Sequence, residues 1–520
     1  MPNDFLERQE DVNAVKEGLL QSKNIFNLLA NLYFICASQF TKLDNLIEAK
    51  IEKEKFLHYH HTFKQELSEI ISQNIFTTDF RLEILKQDIF TTDFQKVIGV
   101  LKRVNGSSKH EYLIIAWAFL KSIDWAVSDN TIYLDNMKTV RSSTSAPFEA
   151  KTYRLLFKPN NLILDTIKNK LPGSQLKTGI DIGQRIEDQL QKIIMFEELP
   201  SRRIEFKSAD KKVNDLLTGQ GQNLAFAVAP ICYDYDYTFK PFQSDEGVSY
   251  VFDEIKNRQE IIRIIDALLR RCIQEDLHIV VFPELAIDGQ MREYISDWLK
   301  INNTDGKIIM VIAGSYHMLK DKREETYENN CIVYRFDGNE LWVQKKMNRF
   351  QLVEDDIKEV ISGTEKGFQE FKKLFKETDR RGYEHIEISD TLVLYDSPIG
   401  RMAVTICLDF IVKENVRLLI DPQVNIIFLP AMSLTLEKMR IANVSMGNFG
   451  DASVFCANNC WIITGGEKGN FKPKQASYIY LPHKNGIEQL KCNEDSDCVR
   501  CELKILRISG ILERESLRAL

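Results

Sequence analysis

The sequence predicts an α/β fold for residues 221–488, preceded by a mostly helical segment at 1–220. The first observation is a series of short apolar runs rich in β-branched residues, which are typical of buried strands. The second is the stretch 255–275, where isoleucine and leucine recur at helical spacing and indicate an amphipathic helix. The third is the absence of proline between Pro2 and Pro147, where apolar residues also recur every three or four positions.

The elements of the α/β region follow one another with short connections. A first strand at 224–230 leads through the amphipathic helix to a strand that ends in Glu284. Later strands alternate with turns, of which the Asp-Gly-Asn sequence at 337–339 is the clearest. These later strands are predicted at 308–315, at 329–334, between the turn and Lys346, at 403–406, at 425–430 and at 461–466.

Three of these strands end in an ionisable residue. Glu284 follows Val-Val-Phe-Pro, Lys346 ends the strand after the turn, and Cys407 follows Ala-Val-Thr-Ile. A rigid sheet fixes the last side chain of each strand, which is where such folds present their chemistry. A carboxylate, an ammonium group and a thiol presented in this way can act as a base, an electrostatic stabiliser and a nucleophile.

The order Glu284, Lys346, Cys407, with its flanking residues, resembles the catalytic triad of the nitrilase superfamily, the carbon–nitrogen hydrolases. The resemblance implies a four-layer αββα sandwich. It also implies a thioester on Cys407, with Glu284 as base and Lys346 as stabiliser. Glu354 lies eight residues beyond Lys346, where many members have a second glutamate. The backbone N–H of Leu408, next after the nucleophile, is the expected second oxyanion donor, and no cofactor or metal is required.

The sequence departs from the family pattern at three places. Asn348 stands two residues beyond Lys346, where a histidine is usual. A charged insertion near 368–381 lengthens the connection to Cys407, and its alternatives are a lid over the pocket, a contact for a partner or a solvated helix. The common aromatic or basic residues after the cysteine are replaced by Leu408-Asp409-Phe410. Lys345 also remains an alternative to Lys346, because the two lysines are adjacent.

Length, net charge and cysteine content limit the kinds of protein that this chain can be. A length of 520 residues predicts two domains, and a net charge of −7 argues against general nucleic-acid binding. The ten cysteines form no regular framework, as expected of reduced thiols in a cytoplasmic protein. Apolar runs in the first half, at 25–37 and 112–120, are shorter than a membrane span of roughly 20 residues. The first residues carry acids instead of a signal peptide, so we expect no membrane association.

The segment before residue 221 resembles no family. The sequence Ile-Phe-Thr-Thr-Asp-Phe occurs at 75–80 and again at 89–94, and each Thr-Thr-Asp is interpreted as a helix start. The Gly- and Gln-rich stretch 218–222 precedes the first strand of the α/β region and is the predicted domain boundary. We expect this first domain to offer a surface for a protein partner. Residues 489–520 are predicted to be a C-terminal extension.

Two clusters invite a metal interpretation, which we weigh against simpler ones. His58, His60 and His61, with Glu54 one turn earlier, fit an exposed helix face better than a metal site. A second group of three cysteines has no matching pair elsewhere, so an ordinary strand is favoured over a zinc or redox site. This group comprises Cys492, Cys498 and Cys501. Cys456 and Cys460 are interpreted as core residues.

The predicted function is hydrolysis of a non-peptide carbon–nitrogen bond in a small molecule, an amide in preference to a nitrile. Three alternatives stay open at this point. The same thioester could be transferred to an amine, or the ammonia released could supply a partner. The chain could also be a silent scaffold, in the context of a bacterial antiviral system. The family pairs through a helical surface, so a homodimer or higher oligomer is expected.

Overall fold

The computed structural model divides the chain into two compact units. The first comprises Met1–Lys158 and Gly179–Leu199, and the second comprises Pro159–Thr178 and Pro200–Leu520. The structure describes residues 31–33, 36, 50–72, 109–128, 138–141, 152–163, 165, 193–197, 199–208, 210–231, 237–244, 247–321, 323, 325–353, 373, 381–433, 436–458, 477–482, 502–508 and 511–516.

The first unit contains both helices and strands. Helices α1 (Lys50–Ser72) and α2 (Lys109–Ser128) pack together, with the rings of Phe63 and Phe119 4.8 Å apart. Strands β1 (Lys138–Arg141), β2 (Thr152–Phe157) and β3 (Ile193–Glu197) form an antiparallel sheet in that order. The sequence predicted a mostly helical segment at 1–220. It did not predict these strands, although helical residues still outnumber strand residues in the described part of that segment. Their runs are too short for periodicity alone to separate strand from helix.

The first large sheet of the second unit has seven strands, ordered β11-β10-β9-β8-β5-β19-β20. Its centre is parallel, because β8 pairs in parallel with both β5 and β9. The predicted strands and turn at 224–230, 308–315, 329–334 and 337–339 are confirmed here. The strands are β5 (Ala225–Val228), β8 (Ile279–Val281), β9 (Met310–Asp321), β10 (Thr326–Arg335), β11 (Glu340–Lys345), β19 (Glu502–Arg507) and β20 (Ile511–Ser516).

The second large sheet has six strands, ordered β18-β17-β16-β15-β14-β4. Strand β16 lies at its centre and pairs in parallel with β15 and β17. The predicted strands at 403–406 and 425–430 lie in this sheet, whereas the one at 461–466 falls outside the described residues. The strands are β4 (Arg203–Ser208), β14 (Thr391–Ser397), β15 (Gly400–Val404), β16 (Ile426–Ala431), β17 (Ser453–Asn458) and β18 (Tyr478–Tyr480).

The two large sheets face each other across an aromatic layer. Phe226 stacks on Phe455 and Trp342 stacks on Tyr395, each pair with ring centroids 4.5 Å apart. On the opposite face of the first sheet, alternate residues of β5 pack in a cluster with helices α4 (Arg258–Gln274) and α5 (Gly289–Asn302). The side-chain period of two therefore sends Phe226 to one layer and its neighbouring alanines to the other. The amphipathic helix predicted at 255–275 is α4.

The described residues include three further helices of the second unit. Helix α3 (Lys211–Gln220) starts at Asp210, whose side chain accepts from the N–H of Val213. Helices α6 (Lys413–Ile420) and α7 (Glu437–Gly450) follow strands β15 and β16. The second unit is thus mixed α/β, as the sequence predicts. No helix among the described residues is long and apolar enough to cross a membrane.

A third, smaller sheet was not anticipated from the sequence. Its order is β12-β13-β7-β6, with β6 (Tyr237–Ser244), β7 (Gly247–Ile255), β12 (Gln351–Val353) and β13 (Arg381–Glu384). Strand β13 pairs in parallel with β7, which sets Glu384 directly beside Tyr250. Of the predicted insertion near 368–381, only residues 373 and 381 lie within the described part of the chain. The repeated Thr-Thr-Asp segments lie outside it.

The end of the chain completes the first large sheet. Strand β19 pairs antiparallel with β5, and Ile505 opposite Ala227 is fully buried. The alternation of apolar and charged residues that begins at Cys501 therefore does produce a strand. Residues predicted as an extension thus supply two strands to this sheet.

Candidate active site

Glu284 lies just beyond β8, where the chain turns away from the sheet. It forms an isolated bridge with Ser315 of β9 and is 2% exposed. Its neighbour Pro283 packs against Gly314, whose φ of +65° lies in the left-handed region. The close approach of the two backbones fixes the point at which Glu284 leaves the sheet.

Substitution of Gly314 by alanine tests this contact. A Cβ at Gly314 would lie 2.1 Å from the carbonyl oxygen of Pro283, so one backbone must move. Together with the positive φ, we expect the free energy of unfolding to fall by about 3 kcal/mol. The matched control is Gly219→Ala in α3, where no atom lies within 4 Å of the new Cβ. Urea unfolding would contradict the prediction if both variants unfolded at one midpoint.

Lys346 lies directly after β11 and is 1% exposed. Its Nζ lies 2.8 Å from Oε1 of Glu284, and 2.9 Å and 2.8 Å from the two carboxylate oxygens of Glu384. Lys345 instead points outward, with a side chain 44% exposed, and pairs with Glu328. The alternation of side chains along the strand therefore places Lys346, and not Lys345, beside Glu284.

Glu384 is the second carboxylate on Lys346, and the sequence analysis did not identify it. Its Oε1 lies 3.0 Å from Nε2 of His317, and its Oε2 accepts from the N–H of Phe350 at 2.7 Å. Nδ1 of His317 accepts the N–H of Phe252 at 2.8 Å, which assigns the ring proton to Nε2 and makes it the donor to Glu384. Glu354, the predicted second glutamate, lies outside the described residues.

Cys407 begins a short 3₁₀ turn, Cys407–Phe410, that follows β15. Its φ is +46°, an uncommon conformation for a residue with a Cβ, and it is 5% exposed. The thiol faces the carboxylate of Glu284 and the N–H of Met432, and that N–H also donates to Oε2 of Glu284 at 3.1 Å. A strained residue at the end of a sheet is a common feature of catalytic nucleophiles.

The buried charges set the protonation states of the cluster. Burial alone would lower the pKa of Lys346, but the carboxylates of Glu284 and Glu384 outweigh it and hold that pKa well above 10.5. Burial would raise the pKa of Glu384, but Lys346 and His317 bring it below 4.5. Burial raises the pKa of the Cys407 thiol, and the charge of Glu284 adds to this effect while Lys346 opposes it. Cys407 at rest is therefore a thiol.

Two further groups adjoin this cluster. The N–H of Leu408 lies in the first turn of the 3₁₀ segment, where N–H groups have no acceptor within the turn. Tyr250 is 2% exposed and is the register partner of Glu384. Burial and then the charge of Glu384 raise the pKa of Tyr250 well above 10, so it remains a neutral hydroxyl.

The predicted alternatives to this site are placed as follows. His58, His60 and His61 lie on α1 with Glu54, and Nδ1 of His60 is 2.7 Å from the hydroxyl of Ser122. Among the described residues, no group of three or more His, Cys, Asp or Glu side chains is arranged so that it could hold a metal ion. Cys456 is fully buried in β17. Cys460, Cys492, Cys498 and Cys501 fall outside the described part of the chain.

Comparison with known proteins gives structural matches only. No protein-family model and no curated protein sequence matches the chain. Nit3 of Saccharomyces cerevisiae, a nitrilase-superfamily member, matches with 13% identity over 50% of this chain and 83% of Nit3, at a TM-score of 0.33. An amidase of that superfamily from Nesterenkonia matches with 12% identity over 52% of this chain and 87% of its own, at a TM-score of 0.34.

The NitFhit protein of C. elegans matches with 15% identity over 55% of this chain and 61% of its own, at a TM-score of 0.36. Each of these three matches covers about half of this chain.

Proposed function

We propose that this protein is a carbon–nitrogen hydrolase that cleaves an amide through a thioester on Cys407. One observation carries the proposal: a buried ammonium group lies between two buried carboxylates, next to a buried thiol. Removing such ions from water is costly, and a protein gains little stability from it. The arrangement supplies the base, the cation and the nucleophile that amide cleavage needs.

In the first half of the reaction, Glu284 accepts the proton of the Cys407 thiol as sulfur attacks the carbonyl carbon. The oxyanion that forms is stabilised by the ammonium group of Lys346 and the N–H of Leu408. Glu384 does not react; it holds Lys346 in place, together with Glu284. When the carbon–nitrogen bond breaks, Glu284 returns the proton to the leaving amine, and an acyl thioester remains on Cys407.

In the second half, water replaces the amine. Glu284 takes a proton from that water as its oxygen attacks the thioester carbon. The intermediate collapses to a carboxylic acid, and the Cys407 sulfur recovers its proton from Glu284. The balance is one amide and one water consumed, and one acid and one amine or ammonia released.

The finer architecture is part of the same proposal. The face-to-face sheets, with α4 and α5 on one outer side, support a four-layer αββα sandwich completed by helices on the other. We also propose that the chain is cytoplasmic and forms at least a homodimer, and that residues 1–220 dock a protein partner. Sedimentation of a monodisperse monomer at micromolar concentration would contradict the dimer.

The decisive experiment traps the thioester. The unaltered protein is quenched with acid during turnover, because acid protonates Glu284 and stops the attack of water before the acyl group leaves Cys407. Intact-protein mass spectrometry after incubation with a cell metabolite extract should show one adduct, and its mass identifies the acyl half of the substrate. Cys407→Ala, which lacks the nucleophile, and Glu284→Gln, which lacks the base for both halves of the reaction, are the controls that should show none. An adduct on any other residue, or no adduct together with no ammonia release by the unaltered protein, would replace the hydrolase with a silent scaffold.

A further inference from the structure

A second buried carboxylate lies two residues after Cys407, in the same 3₁₀ turn. Asp409 is 1% exposed, and both of its carboxylate oxygens accept hydrogen bonds. Oδ2 accepts the N–H of Met347 at 2.9 Å, and Oδ1 accepts the side-chain N–H of Asn348 at 2.8 Å. Its backbone carbonyl accepts from Asn415 of α6 at 3.0 Å. Asp409 thus joins the turn that carries Cys407 to the two residues that follow Lys346.

Asn348 is held in turn by Arg202. Nη2 of Arg202 donates to Oδ1 of Asn348 at 3.0 Å, and Nη1 lies 3.3 Å from the carbonyl of Met347 and 3.2 Å from that of Ser389. The guanidinium therefore fixes which end of the Asn348 amide faces Asp409, because only the amide oxygen can accept from Arg202. Each of these contacts pairs an N–H donor with an oxygen acceptor.

We propose that Asp409 is a positioning residue, which holds the thiol of Cys407 in register with Lys346 through the oriented amide of Asn348. Cys407 and Lys346 come from different large sheets, since β15 belongs to one and β11 to the other. The distance between nucleophile and cation therefore depends on links between the sheets at this edge. Asp409 provides two such links within two residues of each group. The inference rests on the proposed function, because it concerns the geometry of the same reaction.

The charges around Asp409 give the link a pH dependence. Burial raises the pKa of Asp409 to about 7, and the charge of Glu284 acts in the same direction. The N–H of Met347, the charge of Lys346 and the amide of Asn348 each act to lower this pKa, but burial outweighs them. Protonation of Asp409 would place a hydrogen on one of its two oxygens, each of which accepts an N–H. The hydrogen bond to that oxygen would break. The link is therefore complete above about pH 7 and is weakened as the pH falls below it.

An exchange of the two side chains tests the proposal. Asp409→Asn alone and Asn348→Asp alone each set like groups against one another. In the double variant, Asn at 409 would accept from Met347 and donate to Asp at 348, which would accept from Arg202, so each contact is matched again. The readout is the second-order rate constant for alkylation of Cys407 by iodoacetamide, measured by peptide mapping of the full-length protein. Thermal unfolding of each variant fixes a temperature at which it is folded.

We expect each single exchange to slow alkylation about tenfold or more, since small displacements of reacting groups have effects of this size. The double variant should recover to within about threefold of the unaltered protein. Its rate should also fall less steeply than that of the unaltered protein below pH 7, because its buried carboxyl has been moved beside Arg202. Asp305→Asn, the same change at an exposed position, should leave the rate unchanged.

The possible failures are distinguishable. If Cys407 of the unaltered protein reacts no faster than buried Cys331, the proposed function fails. If Cys407 reacts fast in the unaltered protein and equally fast in both single variants, only the positioning role is overturned. The positioning role is also overturned if the double variant reacts no faster than the single variants. Should a single exchange prevent folding, Arg202→Met gives a milder test. It removes the donor to Asn348, and a rate equal to that of the unaltered protein would overturn the role of the oriented amide.

Discussion

Replacement of Cys407 by alanine is expected to abolish ammonia release from a metabolite extract and to remove the fast-reacting thiol. The loss should reach about 10⁶-fold, the size seen when a catalytic nucleophile is removed from a hydrolase. The fold should persist, because the change removes one sulfur atom from a small buried side chain. Cys331→Ala is the matched control: Cys331 is also buried, and burial raises its pKa to about 12 with no base beside it among the described contacts. Unchanged ammonia release from Cys407→Ala would remove the nucleophile from the proposal.

A glycine at the same position separates strain from packing. The φ of +46° at Cys407 costs about 1–2 kcal/mol for any residue with a Cβ, and alanine retains that cost. Glycine removes it but loses one buried carbon, worth about 0.8 kcal/mol. We therefore expect Cys407→Gly to be at least as stable as Cys407→Ala in urea, while both lack activity. A glycine variant clearly less stable than the alanine variant would show that the turn is not strained.

The parts of the site that the sequence predicts are those that directly follow a strand. Glu284, Lys346 and Cys407 each come at or just after the end of a strand whose apolar and β-branched residues are legible on their own. The sequence also left Lys345 and Lys346 open, and only the structure shows which of them turns inward. Alternation within a strand fixes two faces, but it does not say which face is the interior.

Glu384 was missed because its place depends on pairing that sequence spacing does not encode. It lies 38 residues beyond Lys346, at the end of a four-residue strand. It reaches the site because β13 pairs in parallel with β7, and that register is set by tertiary contacts of a sheet with no clear sequence signal. Glu354 was favoured by family-like spacing alone.

Asp409 and Asn348 show a different limit. Both were recognised in the sequence, but only as separate departures from a family pattern. Their contact at 2.8 Å joins the two departures, and Arg202, which completes it, lies well over a hundred residues earlier in the chain. The residues around Arg202 form no local sequence pattern that would indicate a contact with Asn348.

Replacement of Lys346 by methionine should cause the largest loss of stability among these variants. Methionine fills a similar volume but leaves the buried carboxylates of Glu284 and Glu384 without their shared cation. Removing one partner from a buried ion pair typically costs about 3–5 kcal/mol, and we expect a loss of that order at pH 7. The control is Lys345→Met, because the Lys345 side chain is 44% exposed and Glu328 keeps Lys320 as a second cation at 3.4 Å, so we expect a loss of at most about 1 kcal/mol. Equal urea midpoints for the two variants would contradict the buried cluster.

The pH dependence of this loss follows from the same charges. Lys346 holds the pKa of Glu384 below 4.5, so the stability it contributes is present above pH 4.5 and is lost as the pH falls below that value. Without Lys346, two carboxylates share one dry site, which raises the pKa of one of them. The methionine variant should therefore regain stability as the pH falls from 7 to 5, where the unaltered protein gains nothing from this pair.

Adding Glu384→Gln to Lys346→Met separates charge from packing, because it removes one of the two uncompensated charges and keeps an oxygen for one of its two donors, His317 and Phe350. If charge is the cause of the loss, the double variant should be more stable than Lys346→Met at pH 7, by about 1–3 kcal/mol. If the lost packing of the lysine stem were the cause, the second substitution would add a further loss. The sign of that difference in urea unfolding decides whether electrostatics or packing holds this cluster together.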